Sequence, residues 1–360
     1  MPEKIDAWGN EAVTDYEHVF KEFGLKKFPE ALAKKLEHRF FERGIIIAHR
    51  DFEKIFECIE KKKPFINMTG IASSGHLHLG HKADIDFFRF FKERGAKNLF
   101  AFTDLDAYCS REKIQTLQEA KKFAVENIAD ALALGLGEED IYVQSKRPAI
   151  YYSLAFEISK KITAATNKAI YGEIDLGKIS ANLLQYSDIL HGQLPEFFGK
   201  MPSITGIGLD QDPHARSVRD VVKRLPYNME MPSFIYFKHQ SGLTETGKMS
   251  SRNPDTAIFL NDSAKEVERK IQKAFTGGRN TLEEHRKLGG VLEADKVYEL
   301  LLFHYPNSKE LQRIAEDFRS GKLLSREMKQ IAIEFFSGFL KEHQRKAKEF
   351  LPKAQKIVFG

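Results

Sequence analysis

Two histidines sit in a loop that joins a strand to a helix, and this placement constrains the chain more than any other feature. The run Pro64-Phe65-Ile66-Asn67-Met68-Thr69-Gly70 is short, apolar and closed by glycine, which predicts a strand. It leads into Ser73-Ser74-Gly75-His76-Leu77-His78-Leu79-Gly80-His81, after which Ile85, Phe88 and Phe91 recur at helical spacing over Ala83 to Arg94. Imidazoles three residues apart at the start of a helix can be aimed at a phosphate chain, where the helix dipole also favours negative charge. Gly80 leaves space for a nucleotide against the backbone. An isolated HxGH reads equally well as a surface histidine pair in a turn, and its position after the first strand is what favours the phosphate reading.

The same order repeats. Asn98 to Thr103 reads as a strand, Thr116 to Leu134 as a helix, Asp140 to Gln144 as a strand, and Ser203 to Gly208 as another after further helical stretches. Strands alternating with helices imply an α/β fold with a parallel, Rossmann-type sheet and right-handed crossovers. Ligands in such sheets bind at the carboxyl ends of the strands, so the loops after Thr69, Thr103 and Gly208 are expected to face one crevice. The 360 residues correspond to roughly two domains at about 150 residues each, which excludes a peptide-sized scaffold. With 42% hydrophobic and 30% charged residues, the composition is that of a globular protein and not of a disordered chain. The formal charge of +5 leaves a nucleic-acid partner open without arguing for one.

No apolar stretch is long enough to span a bilayer, so no membrane association is expected. The start, MPEKIDAWGNEAVTDYEH, lacks the charged-then-apolar order of a signal peptide, which predicts a cytoplasmic address. Cys58 and Cys109 are too few for a Cys-rich metal site and read as buried or half-buried thiols. Three regions follow. Residues 1–60 form an N-terminal extension, helical and charged, with a short strand at Gly44 to Ala48. Residues 61–260 carry the parallel sheet with a connective insertion. From residue 261 the strand signals fade: Asp262-Ser263 offers a helix N-cap, Gly277-Gly278 reads as a C-cap pair, and a last helix runs from Ser325 to about Phe350. That region is expected to be an α-helical domain.

A second motif, Gly247-Lys248-Met249-Ser250-Ser251-Arg252, follows the Gly/Thr-rich stretch Gly242 to Thr246. A lysine on a glycine-flanked loop can close over a phosphate and neutralise charge that grows during phosphoryl or adenylyl transfer. Alone it is any basic loop. HxGH followed about 170 residues later by KMSS on a parallel α/β frame is similar to the pair of signatures of class I aminoacyl-tRNA synthetases. Gly208-Leu209-Asp210-Gln211-Asp212-Pro213-His214, with Arg219-Asp220, resembles a segment of the archaeal and eukaryotic tryptophanyl enzymes. The resemblance extends through Asp15-Tyr16, His49-Arg50-Asp51, Ala169-Ile170-Tyr171-Gly172, Phe275 to Arg279 and Glu342-His343-Gln344, and so spans nearly the whole chain.

The resemblance implies that His78 and His81 contact ATP phosphates and that Lys248, with Ser250 and Ser251, closes over pyrophosphate. Gly208 and Asp210 then hold the ribose, with Ser74, Gly75, Gly80 and Met249 also on the ATP side. Gln185 and Gln211 match glutamines that bind the substrate amino group, and Asp106 stands where the family has a glutamate, one methylene shorter. The side-chain pocket departs from the eukaryotic pattern: Met68 and Ala101 replace a tyrosine and a glutamine that receive the indole N–H. Asp188, in Leu184-Gln185-Tyr186-Ser187-Asp188-Ile189-Leu190, matches the aspartate that receives it in bacterial tryptophanyl enzymes, and a soft Met68 wall suits a flat ring.

Tyrosyl-tRNA synthetases share the fold and place an aspartate at the same site, usually with a tyrosine where Met68 stands. A small-molecule adenylyltransferase and a silent RNA-binding paralogue are the readings from other classes. For the tryptophanyl reading the implied ligands are L-tryptophan, ATP with Mg2+ and tRNA(Trp), and the implied assembly is a homodimer. His49-Arg50-Asp51 resembles the family's flap near the active site, or is a salt-bridged turn. The tract Lys341 to Lys348 is a solvated helix face or a tRNA phosphate contact.

Overall fold

The computed structural model describes residues 20, 23–245, 247, 249 and 253–360. Among these, seven strands form one sheet: β1 (Lys26–Lys27), β2 (Ile46–Arg50), β3 (Ile66–Ala72), β4 (Lys97–Thr103), β5 (Ile141–Val143), β6 (Ser203–Gly208) and β7 (Ser233–Phe237). The order is β1-β2-β7-β6-β3-β4-β5, and the five strands from β7 to β5 are mutually parallel. The continuous apolar stretches Leu99–Phe102 of β4 and Phe234–Phe237 of β7 are those of strands covered on both faces. β2 pairs antiparallel with β7, so the strand anticipated near Gly44 to Ala48 joins the same sheet. β7 was not expected. It is a five-residue run entered from a proline, without flanking glycine, and its burial between β2 and β6 is a tertiary fact.

The helices that frame the site are α1 (Leu79–Lys92), α2 (Asp104–Ser110), α3 (Leu117–Ala133), α4 (Ala149–Ser159), α5 (Leu176–Leu190), α6 (Asp212–Val222), α7 (Lys296–His304) and α8 (Ser325–Phe359). Thr116 and Glu119 close α3 with a reciprocal capping box, each side chain bonding the other's backbone N–H at 3.2 Å. β3 departs toward β4 on one side and β6 returns on the other. The switch point of the sheet therefore lies between β3 and β6, and a crevice opens there at the strands' carboxyl ends.

The expected C-cap at Gly277-Gly278 is corrected. The helix Ala264–Lys273, capped by the Ser263 side chain, ends at Ala274. Gly277 instead permits a close backbone approach, since a Cβ there would lie 1.9 Å from the Val291 carbonyl oxygen. α8 also runs past Phe350 and through Pro352. A proline removes one helical hydrogen bond, yet Ala354 and Val358 beyond it are buried in the main apolar cluster and hold the helix in place. Lys146 Nζ donates to the carbonyls of Ile357 and Gly360 at 3.0 and 2.7 Å and so caps its C-terminus. That apolar cluster runs from Ile71, Leu79 and Phe88 beside the sheet to Leu300 and Phe336 in the C-terminal helices. No described helix is long and apolar enough to cross a membrane.

Candidate active site

The crevice at the switch point is a cleft of about 400 Å³. The loop from β3 to α1 supplies Ser74, Gly75 and His78 to its wall, the first turn of α1 supplies Gly80 and His81, and Met68 lies on β3 itself. The turn after β6 supplies Gly208, Asp210 and Gln211; α2 supplies Asp106, α5 supplies Gln185 and Asp188, and Met249 reaches it from the second motif. Every expected site residue among the described ones thus borders one cavity. Lys248, Ser250 and Ser251 lie outside the described residues.

The histidine loop owes its geometry to helix capping. His78 is the N-cap of α1, and its Nδ1 accepts the Gly80 N–H at 3.1 Å while His81 Nδ1 accepts the His78 N–H at 3.2 Å. The rings stack with centroids 3.8 Å apart. With both Nδ1 atoms accepting, the protons of the neutral rings sit on Nε2. Burial holds His78 well below the usual histidine range, and burial followed by the Arg111 charge lowers His81 to about 4. The pair therefore offers two neutral N–H donors at a helix N-terminus. Arg111 and Lys113, after α2, add positive charge to the cleft wall, and the Arg111 charge acts on His81. Neither was anticipated, because each reads as one cation in a charged loop.

Across the cleft, Asp210 Oδ1 meets His239 Nε2 at 2.5 Å, and Asp210 Oδ2 accepts from Gln211 Nε2 at 3.1 Å. The His239 ring lies so close to Gly208 that a Cβ there would be 2.2 Å from His239 Cε1. Only glycine admits this packing. Asp84, three residues beyond His81 on α1, also lines the cleft; burial and then the Asp210 charge push its carboxyl up to about 8. One of these two facing carboxyls therefore carries a proton at neutral pH.

At the other end Asp188 is 2% exposed, and its carboxylate is held by three donors. Tyr142 and Tyr151 hydroxyls donate to Oδ1, both at 2.7 Å, and Gln144 Nε2 donates to Oδ2 at 2.8 Å. Burial lifts Asp188 to about 7, with the three donors pulling the other way. Gln144 also ties in Asp106, accepting its backbone N–H at 2.9 Å, and Ser110 donates to Asp106 Oδ1 at 2.8 Å. Behind Tyr142, Arg147 stacks on that ring and on Phe197, and its Nη2 donates to His191. Met68 lines the cleft, whereas Ala101 is fully buried against Gly70 and does not. Sequence reasoning missed Gln144, Tyr142 and Tyr151; the available signal was a polar residue closing the β5 strand.

The His49-Arg50-Asp51 segment closes strand β2, is salt-bridged, and is not among the residues that line the cleft. Arg50 grips both oxygens of Asp212 at 3.0 Å, and Asp51 takes Arg219 at 2.6 Å. Along α8, His343 and Gln344 face inward, to Asp130 and to the carbonyls of Leu260 and Asp262. Arg345 is paired within the helix with Glu342 and Glu349, which reduces its reach for a phosphate. Both cysteines are free thiols, Cys58 buried and Cys109 half-buried.

Residues 60–341 match the family model of class I tRNA synthetases of the W and Y group. Tryptophan–tRNA ligases of Methanocaldococcus jannaschii and Aeropyrum pernix are 39% and 40% identical over 368 and 367 residues, covering 99% of this chain and 98% of each relative. Among solved structures, the tryptophanyl-tRNA synthetase of Aeropyrum pernix K1 superposes with a TM-score of 0.89 at 39% identity, over 95% of this chain and 96% of that one. The Plasmodium falciparum tryptophanyl-tRNA synthetase gives 0.86 at 28% identity, over 96% and 95%.

Proposed function

The chain belongs to the class I tRNA synthetases of the tryptophan and tyrosine group, and from that membership we propose how its cleft carries out the reaction of a tryptophan–tRNA ligase. The observation that carries the activity is the end-to-end likeness to tryptophan–tRNA ligases. A carboxylate oxygen of tryptophan attacks the α-phosphorus of ATP; the bond from that phosphorus to the bridging oxygen breaks, and pyrophosphate leaves with the electron pair. The tryptophanyl-adenylate then passes its acyl group to a terminal ribose hydroxyl of tRNA(Trp), and AMP departs.

In this proposal the neutral Nε2–H groups of His78 and His81 bind phosphate oxygens at the α1 N-terminus, with Ser74, Gly75 and Gly80 beside them. Arg111 and Lys113 add charge, and Lys248, Ser250 and Ser251 close over the pyrophosphate. Gly208 and Asp210 hold the ribose, Asp210 itself steadied by His239, and Met249 borders the nucleotide. Gln185, Gln211 and Asp106 bind the amino group. Asp188 accepts the indole N–H against the Met68 wall. No protein nucleophile is needed, because the substrate carboxylate attacks directly and the protein supplies position and charge. Magnesium bound to ATP would neutralise phosphate charge, and the cleft carboxyls that could receive its waters are Asp84 and Asp210, whose charges act on each other.

The helical region 261–360 is proposed to reach the tRNA anticodon, beside a 61–260 catalytic region and a 1–60 extension. A homodimer would cover Phe156 and Leu176 on α4 and α5, which are 76% and 80% exposed, and the proposed location is the cytoplasm. The test is pyrophosphate exchange with each of the twenty amino acids, followed by tRNA charging. Tryptophan alone should support exchange, and tRNA(Trp) should be charged. Better exchange with tyrosine would overturn the role given to Asp188, and exchange without charging would point to an adenylyltransferase.

A further inference from the structure

We propose that Asn182 binds the substrate carboxylate, holding it for attack on the α-phosphorus. This rests on the reading of the cleft as a tryptophan and ATP site. Asn182 lies on the cleft face of α5, is 3% exposed, and lines the cavity together with Gln185 and Asp188. Its Nδ2 is buried and meets no hydrogen-bond partner among the described residues. A buried donor left unsatisfied costs about 1–3 kcal/mol, so an orphaned amide bordering a substrate cleft points to a group that the ligand brings.

Chemistry narrows that group. Zwitterionic tryptophan has donors in its ammonium and its indole N–H, and its strong acceptors are the two carboxylate oxygens. Helix geometry then gives the order along the substrate: from Asp188 to Gln185 to Asn182 is two steps of three residues, each about 4.5 Å along the axis. Asp188 is tied to Tyr142 and Gln144 at the indole end. The opposite half of α5 packs on the end of α2, where a Cβ at Gly177 would lie 2.3 Å from the Cys109 carbonyl oxygen, two residues before Arg111. Arg111 is the cation whose charge bears on His81. Asn182 thus stands between the indole end and the phosphate end, where the attacking carboxylate belongs. A neutral amide can orient one carboxylate oxygen without quenching the charge that makes the other a nucleophile.

The test compares three ligands by calorimetric titration of the full chain: tryptophan, tryptamine, which lacks the carboxylate, and 3-indolepropionate, which lacks the ammonium. Asn182→Leu should weaken tryptophan and 3-indolepropionate by about 10-fold or more, the scale of one hydrogen bond to a charged group, and leave tryptamine unchanged. The nearly isosteric Asn182→Asp, which sets carboxylate against carboxylate, should weaken the same two ligands further. Equal loss for tryptamine and tryptophan would overturn the proposal, as would loss for tryptamine alone or no change for any ligand. Should the wild type bind neither tryptophan nor tryptamine, the reading of the cleft itself falls, and the role of Asn182 with it.

Discussion

Replacing Tyr142 with phenylalanine keeps the ring between Arg147 and the sheet but removes one of the three donors on Asp188. A hydrogen bond to a charged group is worth about 1.5–3 kcal/mol, and at 1.36 kcal/mol per pKa unit its loss raises the carboxyl by about 1–2 units. Burial already holds Asp188 at about 7, so in Tyr142→Phe it should titrate near 8 to 9. The ionised carboxylate is the form that accepts an indole N–H. In the wild type, kcat/KM for tryptophan in pyrophosphate exchange should therefore rise with pH through a limb near 7, since that ratio reports the free enzyme. In the variant the limb should move up by the same 1–2 units, giving a loss of about 3- to 25-fold at pH 7.5 that is recovered above pH 9.5. KM for ATP should not change. A limb that stays at 7, or a loss that persists at high pH, would refute the view that Asp188 reads tryptophan as an anion tuned by its phenol partners.

Asp188→Ala should reduce tryptophan use far more than ATP use and narrow the preference for tryptophan over 3-benzothienylalanine, an isostere without the N–H; equal losses for both would count against the assignment. It should also lower Tm, because Tyr142 and Gln144 lose this acceptor at about 1–3 kcal/mol per orphaned donor, while Tyr151 keeps the Leu184 carbonyl. Lys248→Ala should leave tryptophan binding intact and slow single-turnover adenylate formation by about two to three orders of magnitude, the scale of one lost transition-state charge; a rate nearly equal to wild type would remove the loop from the chemistry. Stability should peak near pH 6.5. Burial lowers His38, His81 and His214 to about 4 and His191 to about 3, so below 6.5 the unfolded chain binds more protons and stability falls with pH. Asp84 and Asp188, raised to about 8 and 7, hold protons that the unfolded chain has released, so between 6.5 and 8 stability falls as pH rises. Calorimetric Tm from pH 4.5 to 8.5 measures this, and a monotonic trend would contradict it.

The chain's local patterns determine a great deal by themselves. Glycine-closed apolar runs and helical periodicity locate β3, β4, β5 and β6, and motif residues such as His78, His81 and Asp210 follow strands because ligand loops in a parallel sheet do so. Spacing on α5 likewise sets Gln185 and Asp188 on one face. What the pattern could not reveal are contacts between residues far apart in sequence. β7 is a strand because it lies between β2 and β6, and α8 continues through Pro352 because Ala354 and Val358 beyond it are buried in the main apolar cluster and Lys146 caps its end. The properties that matter for chemistry belong to this second class. His78 and His81 are neutral because capping and burial consume their Nδ1 atoms and oppose charge. Asp188 is poised near neutrality because Tyr142, Gln144 and Tyr151, some 40 residues away along the chain, converge on it. A protonation state is set by desolvation and by neighbours in space, and neither is written in the order of residues along the chain.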